Sequence, residues 1–243
     1  YLRRKFWQFS SKKISNITCP TVELMNDLKD KNIFKKDKIS VLYDAILNID
    51  DFNDKIKNKN FSQSDSIPDN FFLSVGRLTK QKNYFYLLDE FKALCCKYPD
   101  QKLLIIGDGE LRTKIEKSIK QLDLSNNVFL IGHTSNVYYF MKRANAFILS
   151  SLWEEVGFVI VEAAASNLSI ISSDCKNGPK EFLSYGEGGL LFNSNKKQAL
   201  YNSLLLFMNL NEKEILKKKI KAKKNSLKFT MYRHQIHLKK LLN

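Results

Sequence analysis

Short apolar runs alternate with amphipathic segments from about residue 70 onward, and this alternation predicts the main fold. The runs FFLSVG, KLLIIG, NVFLIG, AFILS and LSIISS have the length and composition of strands buried on both faces. Helical patterns separate them: NYFYLLDEFKALCCKY, about Glu110 to Leu122, about Val137 to Arg143, and a segment from about Phe158. Five strands alternating with helices predict an α/β domain, a Rossmann-like parallel sheet with helices on both faces.

The pattern changes on either side of this domain. Residues 1–50 contain ITCP, a predicted helix from about Val22 to Lys31 and the strand ISVLY, which look like the closing elements of a second α/β domain. Residues 51–69 are polar without apolar periodicity and are predicted to be a linker loop. Residues 70–227 then form the Rossmann-like domain, and 228–243 a terminal helix that returns toward the first domain. Because the sequence starts at Tyr1, we expect it to be part of a longer protein.

Composition limits the classes of function. With 44% hydrophobic residues in 243, the chain can bury a full core, and no apolar run approaches the roughly 18 residues of a membrane span. The four cysteines show no CxxC spacing and form no ligand set with the three histidines, so no structural metal and reduced, cytoplasmic thiols are predicted.

The formal net charge of +15 is compatible with nucleic acid, an anionic membrane surface or acidic small molecules as partners. The most basic stretch, KEILKKKIKAKK, lacks the interleaved aromatic residues of a surface that binds nucleic acid strands. We interpret it first as a solvated helix face and second as a membrane-facing patch, and we expect no nucleic acid partner.

Candidate chemistry lies in the loops after the strands, where ligands bind in open α/β sheets. The loop GRLTKQKN places Gly76 and Arg77 at the end of the first strand and Lys82 just before a helix. Two cations beside helix amides suit a diphosphate. Solvated surface cations are the plainer interpretation of most lysines in this chain, but the position at the carboxyl end of a strand favours binding here. The next loop, GDGE, predicts either a tight turn or a phosphate contact.

The segment SSLWEEVGFVIVEAAA contains two glutamates, Glu154 and Glu162, separated by seven residues. In a helix from Phe158, Glu162 shares a face with Val161 and Ala165, so its carboxylate lies among apolar neighbours and needs a partner. The partner is either the two hydroxyls of a ribose, or a lysine or backbone amide.

Glu154 lies in the loop before this helix, and a surface position would explain it equally well. The backbone amides of Gly157, Phe158 and Val159 open the helix and can receive an anion.

The loops together resemble a known family, the retaining glycosyltransferases of the GT-B fold, family 4, also called group 1 glycosyltransferases. The resemblance covers about residues 70 to 192 and depends on VGRLTKQKN, LLIIGDGELR, VFLIGHTSNV and, most specifically, SSLWEEVGFVIVEAAA. It implies that Glu162 binds the donor ribose, that Glu154 lies beside the donor sugar, and that Arg77 and Lys82 bind the diphosphate. The chain departs from the family at Glu155, where many members have Gly, and at Val156, where an aromatic residue is common.

The resemblance also implies a reaction, the retaining transfer of a sugar from a nucleoside-diphosphate sugar to an acceptor hydroxyl. Glu154, Arg77 and Lys82 would act in catalysis, and Gly76, Arg77, Lys82, Gly157, Phe158, Val159 and Glu162 would bind the donor. A UDP-sugar is favoured over a GDP-sugar. No cofactor is expected, and no obligatory divalent ion either, since no DxD motif is present.

Family members have two Rossmann-like domains with the active site between them, so this chain is expected to bind donor without turnover. The expected acceptor is a glycan or a lipid-linked sugar in bacterial cell-surface polysaccharide or lipopolysaccharide synthesis. The protein is expected in the cytoplasm. An anionic surface at the inner face of the cell membrane is the expected partner of the stretch YLRRKFW and of the Lys-rich helices. The rivals are a nucleotide-sugar epimerase of the same architecture and, ranked lower, a basic nucleic-acid-binding module.

Overall fold

A parallel sheet forms the centre of the molecule, as the sequence predicts, but it has six strands where the sequence analysis expected five. The structure is a computed structural model that describes residues 2–57 and 67–242, with the backbone alone at residues 2–4, 10 and 12. The sheet has the order β5-β4-β3-β6-β7-β8. Its strands are β3 (Phe71–Val75), β4 (Lys102–Ile106), β5 (Val128–Gly132), β6 (Ala146–Leu149), β7 (Ser169–Ser173) and β8 (Leu190–Phe192). The sequence analysis missed β8, because three residues are too few to show a strand pattern.

Helices connect and cover the strands. They are α1 (Leu2–Ser10), α2 (Val22–Asp30), α3 (Ile49–Lys57), α4 (Tyr84–Lys97), α5 (Arg112–Gln121), α6 (Val137–Met141), α7 (Phe158–Ala165), α8 (Pro179–Phe182), α9 (Ala199–Asn209), α10 (Glu212–Ser226) and α11 (Met231–Leu242). Across residues 2–57 and 67–242, no helix has the length and apolar character that crossing a bilayer requires.

The sheet divides the interior into two apolar cores, because successive side chains of a strand point to opposite faces. On β3, Phe72 packs with α4, α5 and α9 on one face. Phe71 and Leu73 pack with α6, α7 and α10 on the other. The strands are buried on both faces, as their continuous apolar runs predict.

Part of the predicted linker is helical, so the expectation of a loop at 51–57 was wrong. The side chain of Asn48 accepts a hydrogen bond from the Asp50 amide at 3.0 Å and starts α3. Phe52 and Ile56, one turn apart, pack against the core beside α6. Two apolar positions in a polar stretch were too weak a pattern to indicate a helix. Residues 58–66 of the predicted linker lie outside the described residues.

The N-terminal segment contains a two-stranded parallel sheet of β1 (Ile17–Cys19) and β2 (Ile39–Val41) on either side of α2. Helix α2 docks on the main domain through carboxylates. The Glu181 side chain accepts from the amides of Val22 at 2.9 Å and Glu23 at 2.8 Å. In return, the Glu23 side chain accepts from the Asn177 amide at 2.7 Å. The side chains of Arg3 and Arg4, part of the basic stretch YLRRKFW, lie outside the description.

Helix α11 runs back over this N-terminal segment. The Asn16 side chain donates to the Leu241 carbonyl at 2.8 Å, and the His234 ring lies 2.7 Å from the Tyr43 carbonyl. A parallel bridge joins Leu47 to Thr230. Both ends of the described chain therefore lie on the same side of the main domain.

Candidate functional site

A pocket of about 620 Å³ opens where β3 and β6 end. Of the eight predicted site residues, seven line it: Gly76, Arg77, Lys82, Glu154, Gly157, Phe158 and Val159. Gln81, Trp153, Glu155 and Val156 complete the wall. Glu162 does not line this pocket and lies further along α7. The structure thus brings together residues that are far apart in sequence but follow neighbouring strands.

Hydrogen bonds join the two loops that form the pocket, residues 76–83 and 150–157. The Ser150 hydroxyl donates to the Lys82 carbonyl at 2.7 Å. The Gln81 side chain donates to the Trp153 carbonyl at 2.8 Å, and the Leu152 amide donates to the Gln81 carbonyl at 2.8 Å. These bonds form because β3 and β6 are adjacent in the sheet, and they hold the cationic and acidic walls in fixed register.

The Lys82 ammonium and the Glu154 carboxylate form a largely buried ion pair, with side chains that are 15% and 6% exposed. Lys82 Nζ lies 2.5 Å from Glu154 Oε1, and the Ser151 hydroxyl donates to the same oxygen at 2.6 Å. Glu154 is only 7% exposed, so its interpretation as a surface residue was wrong. A buried carboxylate needs such partners, since leaving water is costly for a charge.

Arg77 differs from Lys82 because it is exposed at the pocket and forms no ion pair in the described part of the chain. Its guanidinium is therefore the cation with free donors, whereas the ammonium of Lys82 is already shared with Glu154. A planar guanidinium can bind a phosphate through two parallel hydrogen bonds.

The loop GDGE supports the pocket from behind. A Cβ atom on Gly107 would lie 2.0 Å from the Gly76 carbonyl oxygen, and one on Gly109 would lie 2.7 Å from the Leu78 carbonyl oxygen. The Leu78 amide donates to the Asp108 carbonyl at 2.9 Å. The glycines therefore serve close backbone packing against residues 76–78, which favours the tight-turn interpretation of this loop.

Gly157 sets the direction in which α7 starts. Its φ of +76° lies in the left-handed region, where glycine has no steric penalty. The amides at the start of a helix have no intrahelical acceptor, and the first two residues of α7, Phe158 and Val159, line the pocket. This arrangement can bind an anion.

The partner of Glu162 is the Tyr138 hydroxyl. This hydroxyl donates a hydrogen bond to Glu162 Oε1 at 3.4 Å. Burial raises the pKa of the Glu162 carboxyl, while the Tyr138 hydrogen bond and the charge of Lys55 act in the opposite direction. Phe52 packs edge-on against Tyr138, with ring centroids 5.0 Å apart. The sequence analysis missed Tyr138; its hydroxyl near the start of the helix after GHTSN was the available signal.

We predict that Glu162→Gln stabilises the fold at neutral pH and that the gain disappears in acid. Because the folded-state pKa is raised, the unfolded chain ionises first as pH rises through about 4.5, and the fold loses stability from there upward. The neutral amide avoids this loss and can still accept from Tyr138. Urea unfolding below and above pH 4.5 measures the change in the free energy of unfolding. Glu110→Gln, at an exposed position, is the control. A gain that persists in acid would contradict the assignment.

The comparison with known families decides the classification. A family model described as glycosyl transferases group 1 matches residues 54–227, most of the chain. The chain belongs to the group 1 glycosyltransferases.

Two curated relatives show how much of a related protein this chain covers. An uncharacterised glycosyltransferase of Methanocaldococcus jannaschii is 47% identical over 112 residues, 46% of this chain and 28% of that protein. A Campylobacter jejuni enzyme is 27% identical over 212 residues, 84% of this chain and 56% of that protein. Its name is N-acetylgalactosamine-N,N'-diacetylbacillosaminyl-diphospho-undecaprenol 4-alpha-N-acetylgalactosaminyltransferase. The matched part of the chain thus spans about half the length of the C. jejuni enzyme and about a quarter of the M. jannaschii protein.

A solved structure with the same fold is Anabaena Alr3699/HepE in complex with UDP. It superposes with a TM-score of 0.82 at 18% identity, over 96% of this chain and 65% of that chain. The similarity in structure is therefore strong where the similarity in sequence is low.

The two departures from the glycosyltransferase motif have different surroundings. Val156 is 1% exposed and belongs to the apolar core, whereas Glu155 is exposed at the pocket. Asp44, which the sequence analysis missed, lies near Glu155. Burial raises the pKa of the Asp44 carboxyl, the His234 charge lowers it, and the Glu155 charge raises it further. The charge of Asp44, in the N-terminal segment, therefore interacts with that of Glu155 in the wall of the pocket.

Proposed function

We propose that this chain is the donor-binding part of a retaining glycosyltransferase, which moves a sugar from a nucleoside-diphosphate sugar to an acceptor hydroxyl. The observation that supports it best is the convergence of Arg77, Lys82 and the first amides of α7 on one pocket with Glu154 in its wall. Cations and helix amides bind a diphosphate, and a carboxylate in hydrogen-bonding position binds sugar hydroxyls.

In this proposal the protein stabilises the charge that forms when the glycosidic bond to the diphosphate breaks. Arg77 binds a phosphate through its free donors, and Lys82 contributes a second positive charge held in place by Glu154. The amides of Phe158 and Val159 point at the same anion. Such fixed donors stabilise a leaving group without rearranging during the reaction. No metal and no cofactor is required for these roles.

Glu154 is proposed to position the donor sugar. Both of its contacts are to Oε1, so within the described residues Oε2 accepts no hydrogen bond. A sugar hydroxyl can donate to that oxygen. The Lys82 charge and the Ser151 hydroxyl keep the carboxylate in one orientation, which favours one donor geometry.

Glu162 is proposed to bind the ribose of the donor nucleotide, and UDP is the proposed nucleotide. Anabaena Alr3699/HepE was solved with UDP, and a Staphylococcus aureus TarM variant was solved with UDP among its ligands. The proposed acceptor is a glycan or lipid-linked sugar at the cytoplasmic face of a bacterial membrane. The name of the C. jejuni relative, which includes diphospho-undecaprenol, supports this acceptor class.

Calorimetric titration of the chain with UDP, GDP, ADP, UDP-sugars and inorganic pyrophosphate tests the donor site. We expect UDP to bind best and Arg77→Ala to weaken UDP and pyrophosphate alike, roughly 10- to 100-fold, since a hydrogen bond to a charged group is lost. Glu162→Ala should weaken UDP and leave pyrophosphate unchanged, because it acts on the ribose. Lys80→Ala, exposed in the same turn as Lys82, is the matched control.

Two results would contradict the proposal. The first is absence of binding by every nucleotide. The second is UDP binding that Arg77→Ala leaves unchanged, because the anion would then lie elsewhere. Equal loss of pyrophosphate in Glu162→Ala would remove the ribose assignment while leaving the diphosphate site intact.

A further inference from the structure

The solvent-facing side of α10 carries an apolar stripe. Leu216 is 53% exposed, Ile220 is 57% exposed, and Leu227, directly after the helix, is 52% exposed. Their spacing places them on one face of the helix, and the opposite face is buried through Ala222, Asn225 and Ser226. The stripe is therefore additional to the core-facing side of α10 and needs its own explanation.

Lysines border the stripe on both sides. Helix α10 contains seven lysines and two glutamates, Glu212 and Glu214, both in its first turn. On one side a depression of about 560 Å³ is lined by Lys217, Lys221 and Lys224. On the other a depression of about 400 Å³ is lined by Lys142, Lys219 and Lys223.

The first depression is not purely basic, since Glu187 and Glu214 also line it and Glu187 pairs with Lys221 at 2.5 Å. Lys217 and Lys224, both exposed, form no ion pair within the described residues. The surface therefore keeps an excess of positive charge around an apolar centre.

We propose that this face of α10 docks on an anionic lipid bilayer, with the helix lying parallel to the membrane surface. Leu216, Ile220 and Leu227 would enter the boundary between headgroups and acyl chains, which removes their apolar area from water. The lysines extend beside them to lipid phosphates, because a long side chain can keep its charge in the headgroup region.

Charge and shape together select this occupant. A nucleic acid would satisfy the lysines but leave the apolar stripe in water, and α10 has no aromatic residue on which a base can stack. An apolar protein partner would satisfy the stripe but leave two rows of lysines unmatched. An anionic bilayer satisfies both.

Docking at α10 would place the candidate site close to the lipid surface, because α10 packs on α7, whose first residues line the pocket. Lipid-linked acceptors would then approach from the membrane. The inference does not depend on the proposed transferase reaction, since vesicle binding requires no donor. Failure of one leaves the other standing.

Sedimentation with lipid vesicles tests the surface, using phosphatidylcholine alone and with about 30 mol% phosphatidylglycerol added. The unmodified chain should bind only the anionic vesicles, and less as salt rises. Leu216→Ser/Ile220→Ser and Lys217→Gln/Lys223→Gln should each weaken binding roughly tenfold, through loss of apolar area and of charge respectively.

Matched controls come from the opposite face of the sheet. Leu206→Ser on α9 removes a leucine that is 51% exposed, and Lys114→Gln/Lys117→Gln removes two exposed lysines of α5. Both controls should bind vesicles like the unmodified chain. Circular dichroism and thermal melting should match for all variants, because the substituted side chains are solvent-exposed.

A second measurement gives a positive signal. Ile220→Trp should show a blue-shifted emission and quenching by brominated phosphatidylglycerol vesicles, beyond that of the unmodified chain, whereas Leu206→Trp should not.

Four results would overturn the proposal. They are no binding to anionic vesicles, equal binding to neutral ones, binding that the α10 variants leave unchanged, and an Ile220→Trp signal no larger than that of Leu206→Trp. Salt-dependent binding of a DNA or RNA duplex that only the lysine variant abolishes, without vesicle binding, would instead identify a nucleic acid surface.

Discussion

Replacing Lys82 by methionine is expected to destabilise the fold by about 3 kcal/mol, the lower end of the cost of removing one partner of a buried ion pair, because this pair is not fully buried. Glu154 would keep the Ser151 hydrogen bond but lose its cation in a site where it is only 7% exposed. Urea unfolding measures the change. Lys80→Met, exposed in the same turn, is the matched control and should stay within about 0.5 kcal/mol.

The double variant Lys82→Met/Glu154→Gln separates charge from packing. It should recover most of the lost stability, because no charge is then left buried without a partner. If the double variant is as unstable as Lys82→Met, the lysine stabilises the loop through its aliphatic chain and the ion pair is incidental. Neither variant is expected to bind a nucleoside diphosphate as tightly as the unmodified chain.

Gly107→Ala is expected to have the second large effect, a loss of about 3 kcal/mol or more, since it combines backbone strain with a collision. Gly107 has φ of +140°, and its new methyl group would lie 2.0 Å from the Gly76 carbonyl oxygen. Relief of the clash must move Gly76 and with it Arg77. Nucleotide affinity should therefore fall along with the melting temperature.

Gly186→Ala isolates the strain from the collision. Gly186 has φ of +106°, but nothing lies within 4 Å of the position of its new Cβ. Its loss should be about 1 kcal/mol, from strain alone. Equal losses in the two variants would show that the contact of Gly107 with Gly76 is unimportant.

The sequence predicts the sheet well because each strand is a short apolar run bounded by glycine or polar residues. From the strand ends it also predicts which loops face the ligand side. The sequence pattern does not predict the order of the strands in the sheet. The adjacency of β3 and β6, which pairs Lys82 with Glu154, results from how the helices cross between strands, so the burial of Glu154 was not foreseen.

The features that the sequence analysis missed, α3, β8 and the contact of Tyr138, have a common physical cause. Helix α3 and strand β8 are short, and tertiary contacts stabilise them more than their own residues do. Phe52 and Ile56 become informative only once Tyr138 is known to lie opposite. Tyr138 in turn was treated as a helix residue, because a tyrosine hydroxyl in sequence gives no indication of its partner.

The contact of α11 with the N-terminal segment affects how the protein folds during synthesis. The His234 ring bonds to the Tyr43 carbonyl 191 residues earlier in the chain. At typical rates a ribosome needs roughly 10 to 40 s to make that length, and domains fold as they emerge. The central sheet can close in that time, whereas the contacts between α11 and the N-terminal segment form only after α11 has been made. These long-range contacts should therefore form late in folding, after the strands of the central sheet have paired.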